Sequence, residues 1–439
     1  VLWKPAIKKL KKQKRSKKKA IRRKYMPFLD LDINLTEEDI AIKEAAHKFA
    51  VEVMRPIAKQ LDEMTPEEVI APKSPMWEFY KKAYSLGYHS FFLPDTYGGM
   101  GISAKQQLIV AEELSWGSSG MTVGIGVCCF HAFLGAMVPE DDIIDKFIVP
   151  YCECKDGSIR GCWGITEPDH GSDTLIAGHP SFRDPNIKAN CRARLDGDEY
   201  VINGQKASWV SGGTIATHCA LFCQIDPSMG HAGSGIFIVP LDVPGVSKGK
   251  PLNKIGQRDL NQGEIFFDDV RIPRSYCVAD QTAYEAMLEI VLSTTTAFMG
   301  AIGTGIARAA FEEALMYAKE RVQGGKVLID HTHIKMMLFN MLQRTEMARA
   351  MTRAAYLYNQ NTSTPAEEYS IMAKIAGTEA ACANTHDALM IFGGNGLSKE
   401  YLIEKLYRDA RSTVIEDGSN HTLAIAAGHK IISTYPRIP

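Results

Sequence analysis

No two of the chain's ten cysteines form a C-x-x-C pair, and no histidine pair accompanies them at zinc-finger spacing. Cys128, Cys129, Cys152, Cys154, Cys162, Cys191, Cys219, Cys223, Cys277 and Cys382 are scattered, so no metal site is expected from their spacing. Several lie in apolar runs such as IGVCCFHAF, where free cysteine behaves as a small buried hydrophobe, and this points to a reducing, cytoplasmic setting. No apolar stretch reaches about 18 residues, so no membrane span is expected. No repeat of 20 to 50 residues is visible, which argues against a solenoid or propeller. Acidic residues are missing altogether from residues 1–25, which carry 13 Lys and Arg. The remainder then holds 37 basic against 51 acidic residues, so the net charge of -1 hides an acidic body. Such a basic run suits nucleic acid or anionic lipid. The acidic body and the position of Met26 favour a disordered or non-native tail with no part in the chemistry.

What is present reads as a chain of 439 residues, long enough for two or three domains, with the 45% hydrophobic content of a globular protein. Thr36 followed by Asp39 resembles a capping box and opens a helical segment, with a kink or end expected at Pro56. A turn-rich FFLPDTYGGMG interrupts the helices before KQQLIVAEELSW resumes the period. From about 158 to 275 the texture changes to short β-type runs, with turns at Asp196-Gly197 and Asn203-Gly204 and strands in GIFIVP and GEIFFDDVRIP. Long helices are expected near 281–322, 332–361, 366–392 and 419–433, enough for a four-helix bundle. The class is α+β: a basic tail over 1–25, a helical domain over 26–157, a β domain over 158–278 and a helical bundle over 279–439.

Three stretches carry possible chemistry. CWGITEPDHGSDT, residues 162–174, offers hydroxyls and backbone N–H groups suited to the polar edge of a flat heteroaromatic ligand, although the same residues make ordinary turns. GGNG in IFGGNGLSKEYLIEKLYRDAR allows close backbone approach to phosphate oxygens, or simply caps a helix. It does not follow a strand, so a dinucleotide fold is disfavoured. STVIEDGSNH places two adjacent carboxylates, Glu416 and Asp417, before a helix. They are candidates for a catalytic base or, alternatively, caps for that helix.

In order, CWGITEPDHGSD, FFDDVRIP, KERVQGGKVLIDHTHIK, IFGGNGL, YRDAR and EDGS closely resemble the acyl-CoA dehydrogenase family of flavoproteins, from about residue 30 to 435. The resemblance implies an N-terminal helical domain, a central β domain and a C-terminal four-helix bundle, assembled as a homotetramer with FAD. It implies FAD-dependent dehydrogenation of an acyl-CoA, with electrons passed to electron-transferring flavoprotein. By the same resemblance, Ile165, Thr166, Trp209 and Ser211 lie against the flavin and Ser172 contacts the acyl-CoA. Arg321 meets the FAD pyrophosphate of a neighbouring subunit, Gly393, Gly394 and Gly396 cover the adenosine end, and Ser419 touches the cofactor.

The family's base is the Glu of Y-E-G-[ST]. Here the stretch reads I-E-D-G-S, which puts Asp417 at the base position, one methylene shorter, and Glu416 at the tyrosine, with Glu416 as base if the turn shifts by one. The alternative base position on the first bundle helix, near Thr295 and Thr296, holds no carboxylate. Ser293 and Thr296 stand where the family has its CoA-contacting aspartate and an arginine. An aspartate base without those residues also suits a flavin oxidase or monooxygenase resembling nitroalkane oxidase. Asp95, in LPDTYGGMG, is either a turn former or a second base that would suit a cyclic acyl group.

Overall fold

The computed structural model describes residues 31–435; the reading of residues 1–25 as a tail falls outside them. In residues 31–42, the Thr36 backbone N–H donates to Asp39 and the Asp39 N–H to the Thr36 hydroxyl. This reciprocal cap starts helix α1 (Glu37–Phe49).

Residues 43–435 hold the rest of the structure. Pro56 sits in the first turn of α2 (Arg55–Glu63), directly after a π-helical turn, Ala50–Met54, that continues α1 without a break, so the proline marks a π-turn within one helical run rather than an end. Shorter helical turns aside, α3 (Pro75–Ser85), α4 (Ala104–Gly117), α5 (Ser119–Cys128) and α6 (Phe130–Met137) complete the first helical part.

Strands then run from Gly161 to Ala279: β1 (Gly161–Gly164), β2 (Arg192–Asp196), β3 (Glu199–Ser211), β4 (His218–Gln224), β5 (Ser234–Pro240), β6 (Val246–Lys248), β7 (Gln262–Pro273) and β8 (Cys277–Ala279). Seven lie in the order β6-β7-β3-β2-β4-β5-β8, and β1 pairs in parallel with β4. Alternation buries Ile202, Leu221, Phe237, Val239, Ile265 and Phe267, together with Cys162, Cys191, Cys219 and Cys223, as one core. Between Lys206, opposite Ile265, and Val210, opposite Gly263, three residues of β3 stand against the single Glu264. The bulge carries Trp209 and Ser208 within K-A-S-W-V-S.

The bundle comprises α7 (Tyr284–Glu320), α8 (Thr332–Asn359), α9 (Glu367–Phe392), α10 (Leu402–Thr413) and α11 (Asn420–Thr434). The four expected helices are joined by a fifth, α10, whose Ile403, Leu406 and Ala410 turn one face inward while Glu404 and Arg408 pair along it. Helix α7 corrects the expectation about apolar stretches. An 18-residue window of it has mean hydropathy 1.5, enough to cross a membrane by composition, yet 94% of that window is buried inside the protein, as in a core helix. It packs backbone to backbone on α9: a Cβ on Gly303 would lie 2.4 Å from the carbonyl carbon of Gly377. This contact brings Thr296 on α7 and Lys374 on α9 to the turn that follows α10.

Candidate active site

A cavity of about 520 Å³ opens between the sheet, α5, α6, α7 and the turn after α10. Its size suits an organic ligand. Of the residues expected at the site, Ile165, Thr166, Ser172, Trp209, Ser211, Glu416 and Asp417 all line it.

One wall is the loop after β1, whose shape is fixed by a buried ion pair absent from the sequence reading. Lys206 donates to Glu167 at 2.7 Å and to the Ile165 carbonyl at 3.1 Å. The remaining capacity of the Glu167 carboxylate is filled by the backbone N–H groups of Asn190 and Cys191. The Ala207 N–H donates to the Thr166 carbonyl, which sets the bulge against the loop. Trp209 is 59% exposed on this wall, and Ser211 is held by the Gln262 side-chain amide at 3.0 Å. Further along, Asp173 bonds to both His170 and His231 and accepts the Gly171 N–H, and these partners hold its carboxyl well below the usual range despite burial. The three donor side chains lie within 4.8 Å of one another, a grouping that residue spacing did not reveal because His231 comes from a distant turn.

The opposite wall is the carboxylate turn. After α10, the N–H groups of Ile415 and Glu416 fold back on the Ser412 carbonyl, and Asp417 (φ +52°) and Gly418 (φ +87°) take left-handed conformations. Aspartate tolerates that region better than most residues, and glycine takes it freely. The Ser419 hydroxyl then caps α11 by accepting the Thr422 N–H, and the Ser419 N–H donates to Ser172 at 2.8 Å. The cap of α11 is therefore Ser419, not either carboxylate. Ser419 itself does not line the cavity; its hydroxyl caps α11 and its N–H holds Ser172.

Both carboxylates are half-buried and open to the cavity. Burial pushes Asp417 up to about 6, opposed by the Lys374 ammonium and the Thr296 hydroxyl. Neither that hydroxyl nor Oδ2 of Asp417 completes a well-formed hydrogen bond, which leaves Oδ2 as an unpartnered acceptor. Glu416 is also raised, by burial, against the pull of Lys254, Gln257 and Lys374. Lys254 is lowered by burial and donates to the Leu260 carbonyl and to Gln262. Lys254 and Lys374 each sit in an apolar or mixed run, where a lysine reads as a surface residue, so nothing in the local pattern marks them.

The other expected residues lie elsewhere. Asp95 is exposed on the turn Asp95–Tyr97, its carbonyl accepting the Gly98 N–H, and it does not line the cavity. The second-base reading is corrected accordingly: LPDTYGGMG places Asp95 as a turn former. Asp95→Asn is expected to leave turnover on a cyclic acyl-CoA unchanged, and a steady-state rate reduced more than about tenfold, the scale of a lost general base, would contradict this placement. Arg321 caps the C-terminus of α7, exposed and bonded to Gln323. Gly393 (φ +59°) caps α9 and opens the turn Gly393–Leu397, which contains Gly394 and Gly396. Tyr317 stacks on Phe392 at 4.0 Å and accepts from Asn395, so Arg321 and the glycine turn share one end of the bundle, outside the cavity. Thr295 lines the cavity, whereas the Ser293 hydroxyl is committed to the Glu289 carbonyl.

The comparisons with known proteins agree with this geometry. Residues 36–138, 162–270 and 287–430 match the acyl-CoA dehydrogenase N-terminal, middle and C-terminal domains. The chain is 31% identical over 411 residues to the mitochondrial short-chain specific acyl-CoA dehydrogenase of Rattus norvegicus, covering 91% of this chain and 92% of that one. It is 30% identical over 390 residues to the 3-(aryl)acrylate reductase of Clostridium sporogenes (strain ATCC 15579), covering 88% and 96%. Its fold superposes on butyryl-CoA dehydrogenase from Megasphaera elsdenii with a TM-score of 0.81 at 27% identity, covering 92% of this chain and all of that one. The chain belongs to the acyl-CoA dehydrogenase family and is an oxidoreductase acting on acyl-CoA.

Proposed function

We propose that this protein carries out FAD-dependent dehydrogenation of an acyl-CoA thioester with Asp417 as the base. The observation that carries the reading is Asp417 itself: the residue lines the cavity, its buried Oδ2 has no hydrogen-bond partner, and Lys374 and Thr296 act on it. The wall opposite suits a flavin: an exposed indole beside the Thr166 and Ser211 hydroxyls offers a flat apolar face and polar groups for a ring edge. Ile165, Thr166, Trp209 and Ser211 would hold the ring, and Arg321 with the Gly393–Leu397 turn would serve a cofactor shared between subunits of a homotetramer. When bound, FAD supplies the hydride acceptor.

The chain's own part is to hold the substrate and take the α proton. Ser172, whose hydroxyl oxygen is already anchored by the Ser419 N–H, sits at the edge of the cavity to meet the acyl-CoA. Asp417 takes the proton at Oδ2. A carboxylate partly removed from water is a stronger base than one in solvent, which matches it to a weak carbon acid. Phe92, Phe130, Phe298, Met299 and Ile302 line the cavity and exclude water. Their aromatic surface and the likeness to the aryl-acrylate enzyme support a cyclic or aryl acyl group. Family membership supports electron-transferring flavoprotein as the acceptor, and ten unpaired cysteines support a reducing, cytoplasmic location.

The test is the visible spectrum of the flavin-loaded protein without oxygen, before and after straight, branched, cyclic and aryl acyl-CoAs. Bleaching by one class supports the proposal and names the substrate. Bleaching only by nitroalkanes or other acidic carbon compounds, with oxygen consumed in air, favours the oxidase reading, for which the commitment of Ser293 to the Glu289 carbonyl is the supporting observation.

The pH dependence follows from Asp417. Because burial raises its pKa to about 6, the base is neutral below that pH and ionised above it, so the bleaching rate is expected to rise through about pH 6. A rate already at its plateau near the ordinary carboxylate pKa of about 4 would contradict the assignment. The same raised value makes ionisation a cost to the fold. Its contribution to stability is full below the ordinary carboxylate pKa and is lost as pH rises through about 6.

A further inference from the structure

Lys374 has 0% exposure, yet both of its hydrogen-bond acceptors are neutral oxygens: the Gly418 carbonyl at 2.6 Å and Oδ1 of Asn420 at 3.0 Å. A buried ammonium costs several kcal/mol unless charge compensates it. The negative groups acting on it are Asp417 and, more weakly, Glu416. We propose that Lys374 is a positioning residue for proton abstraction: its ammonium pins the Asp417 turn through the Gly418 carbonyl and supplies the positive charge against which the base's carboxylate rests. The proposal builds on Asp417 as the base.

The surroundings were built to hold this lysine in place. Asn420 donates to Thr378 at 3.0 Å, and Thr378 in turn donates to the Lys374 carbonyl at 2.8 Å, which ties the start of α11 to one turn of α9. The backbone contact of Gly377 with Gly300 and of Gly303 with Gly377 sets how close α9 lies to α7, the helix that carries Thr296 on the other side of the base. Facing Asp417 are Lys374 from α9 and Thr296 from α7. Facing the adjacent Glu416 are Lys254 and Gln257 from the segment before β7, Lys374, and Asp409 from α10. Among the described residues, Lys374 is the cation that acts on both carboxylates and hydrogen-bonds their turn.

The charge works in a bounded pH window. Burial lowers Lys374 to about 8, with Asp417 and Glu416 opposing. As pH rises through that value the ammonium is lost, and with it the support for the ionised base. The flavin-loaded wild type should therefore bleach on a bell-shaped profile, rising through about pH 6 and falling through about pH 8.

The experiment measures anaerobic bleaching by a saturating acyl-CoA across pH for wild type, Lys374→Met, Lys374→Arg and Asp417→Asn, with thermal unfolding of each. Lys374→Met is expected to move the acidic limb up by about one pH unit, a loss of about fivefold at pH 6 that approaches about tenfold below it and narrows as pH rises. Lys374→Arg keeps its charge, so its alkaline fall should vanish. Unfolding of the Lys374→Met/Asp417→Asn pair should be non-additive, as expected for charges in contact. A Lys374→Met profile scaled down equally at every pH, or a Lys374→Arg profile with the wild-type alkaline fall, overturns the proposal even if Lys374→Met is too unstable to assay. Wild-type bleaching by Asp417→Asn would instead overturn the base assignment on which it rests.

Discussion

Asp417→Asn is expected to fold, bind flavin and bind acyl-CoA, yet to bleach about 10²- to 10⁴-fold more slowly than wild type, the usual contribution of a general base. Asparagine is isosteric and is, with aspartate, among the residues most tolerant of the left-handed conformation found at φ +52°. The turn should survive, and the loss can be assigned to the carboxylate. The measurement is stopped-flow absorbance of the flavin under a saturating thioester, with unfolding temperature as the control. The thiol ester's α carbon is a weak acid, and among the described residues the only cavity-lining carboxylates with an unpartnered buried oxygen are Asp417 and Glu416. Asp417 has Thr296 and Lys374 beside it, whereas Glu416 is turned toward Lys254 and Gln257. Asp417 lines the cavity although its side chain is one methylene shorter than the family's glutamate.

Glu167→Gln is expected to cost about 3–5 kcal/mol of stability, the range for breaking one side of a buried ion pair. Glu167 and Lys206 are both essentially inaccessible at 2.7 Å, and removing the carboxylate strands an ammonium while leaving the Asn190 and Cys191 N–H groups with a weaker acceptor. Because Lys206 also holds the Ile165 carbonyl, the loop that lines the flavin wall should loosen, and flavin should be released at lower temperature than in wild type. Thermal unfolding followed by flavin fluorescence checks both effects. Adding Lys206→Met to Glu167→Gln should restore part of the loss, since no charge is then left unpaired. An unchanged unfolding temperature in the single variant would mean that the pair does not brace the loop.

The helices and strands were legible where period and punctuation agree. The Thr36 and Asp39 pair is a cap, the 158–275 stretch is a sheet, and the long apolar periods are bundle helices. Helix α10 was not among the expected helices, because GGNG was taken as a turn or the cap of the helix before it, although Ile403, Leu406 and Ala410 carry the period. The site was legible only where chemistry sits on a contiguous motif, as at Thr166, Ser172 and Asp417. Lys206, Lys254 and Lys374 were not, because a lysine's burial is decided by segments far away in sequence: Lys374 lies 44 residues from the carbonyl it holds. Asp95 failed for the opposite reason, since a motif position says nothing of which way a turn faces, and this one faces solvent.

The most direct test of the account compares Asp417→Asn with Glu416→Gln in a single stopped-flow experiment at neutral pH, following flavin bleaching by the acyl-CoA class that reduces the wild type. Glu416→Gln is expected to bleach within about tenfold of wild type, short of the loss expected when a general base is removed, while Asp417→Asn is slowed at least about a hundredfold. Fast bleaching by Asp417→Asn and none by Glu416→Gln would contradict it and move the base one residue toward the N-terminus.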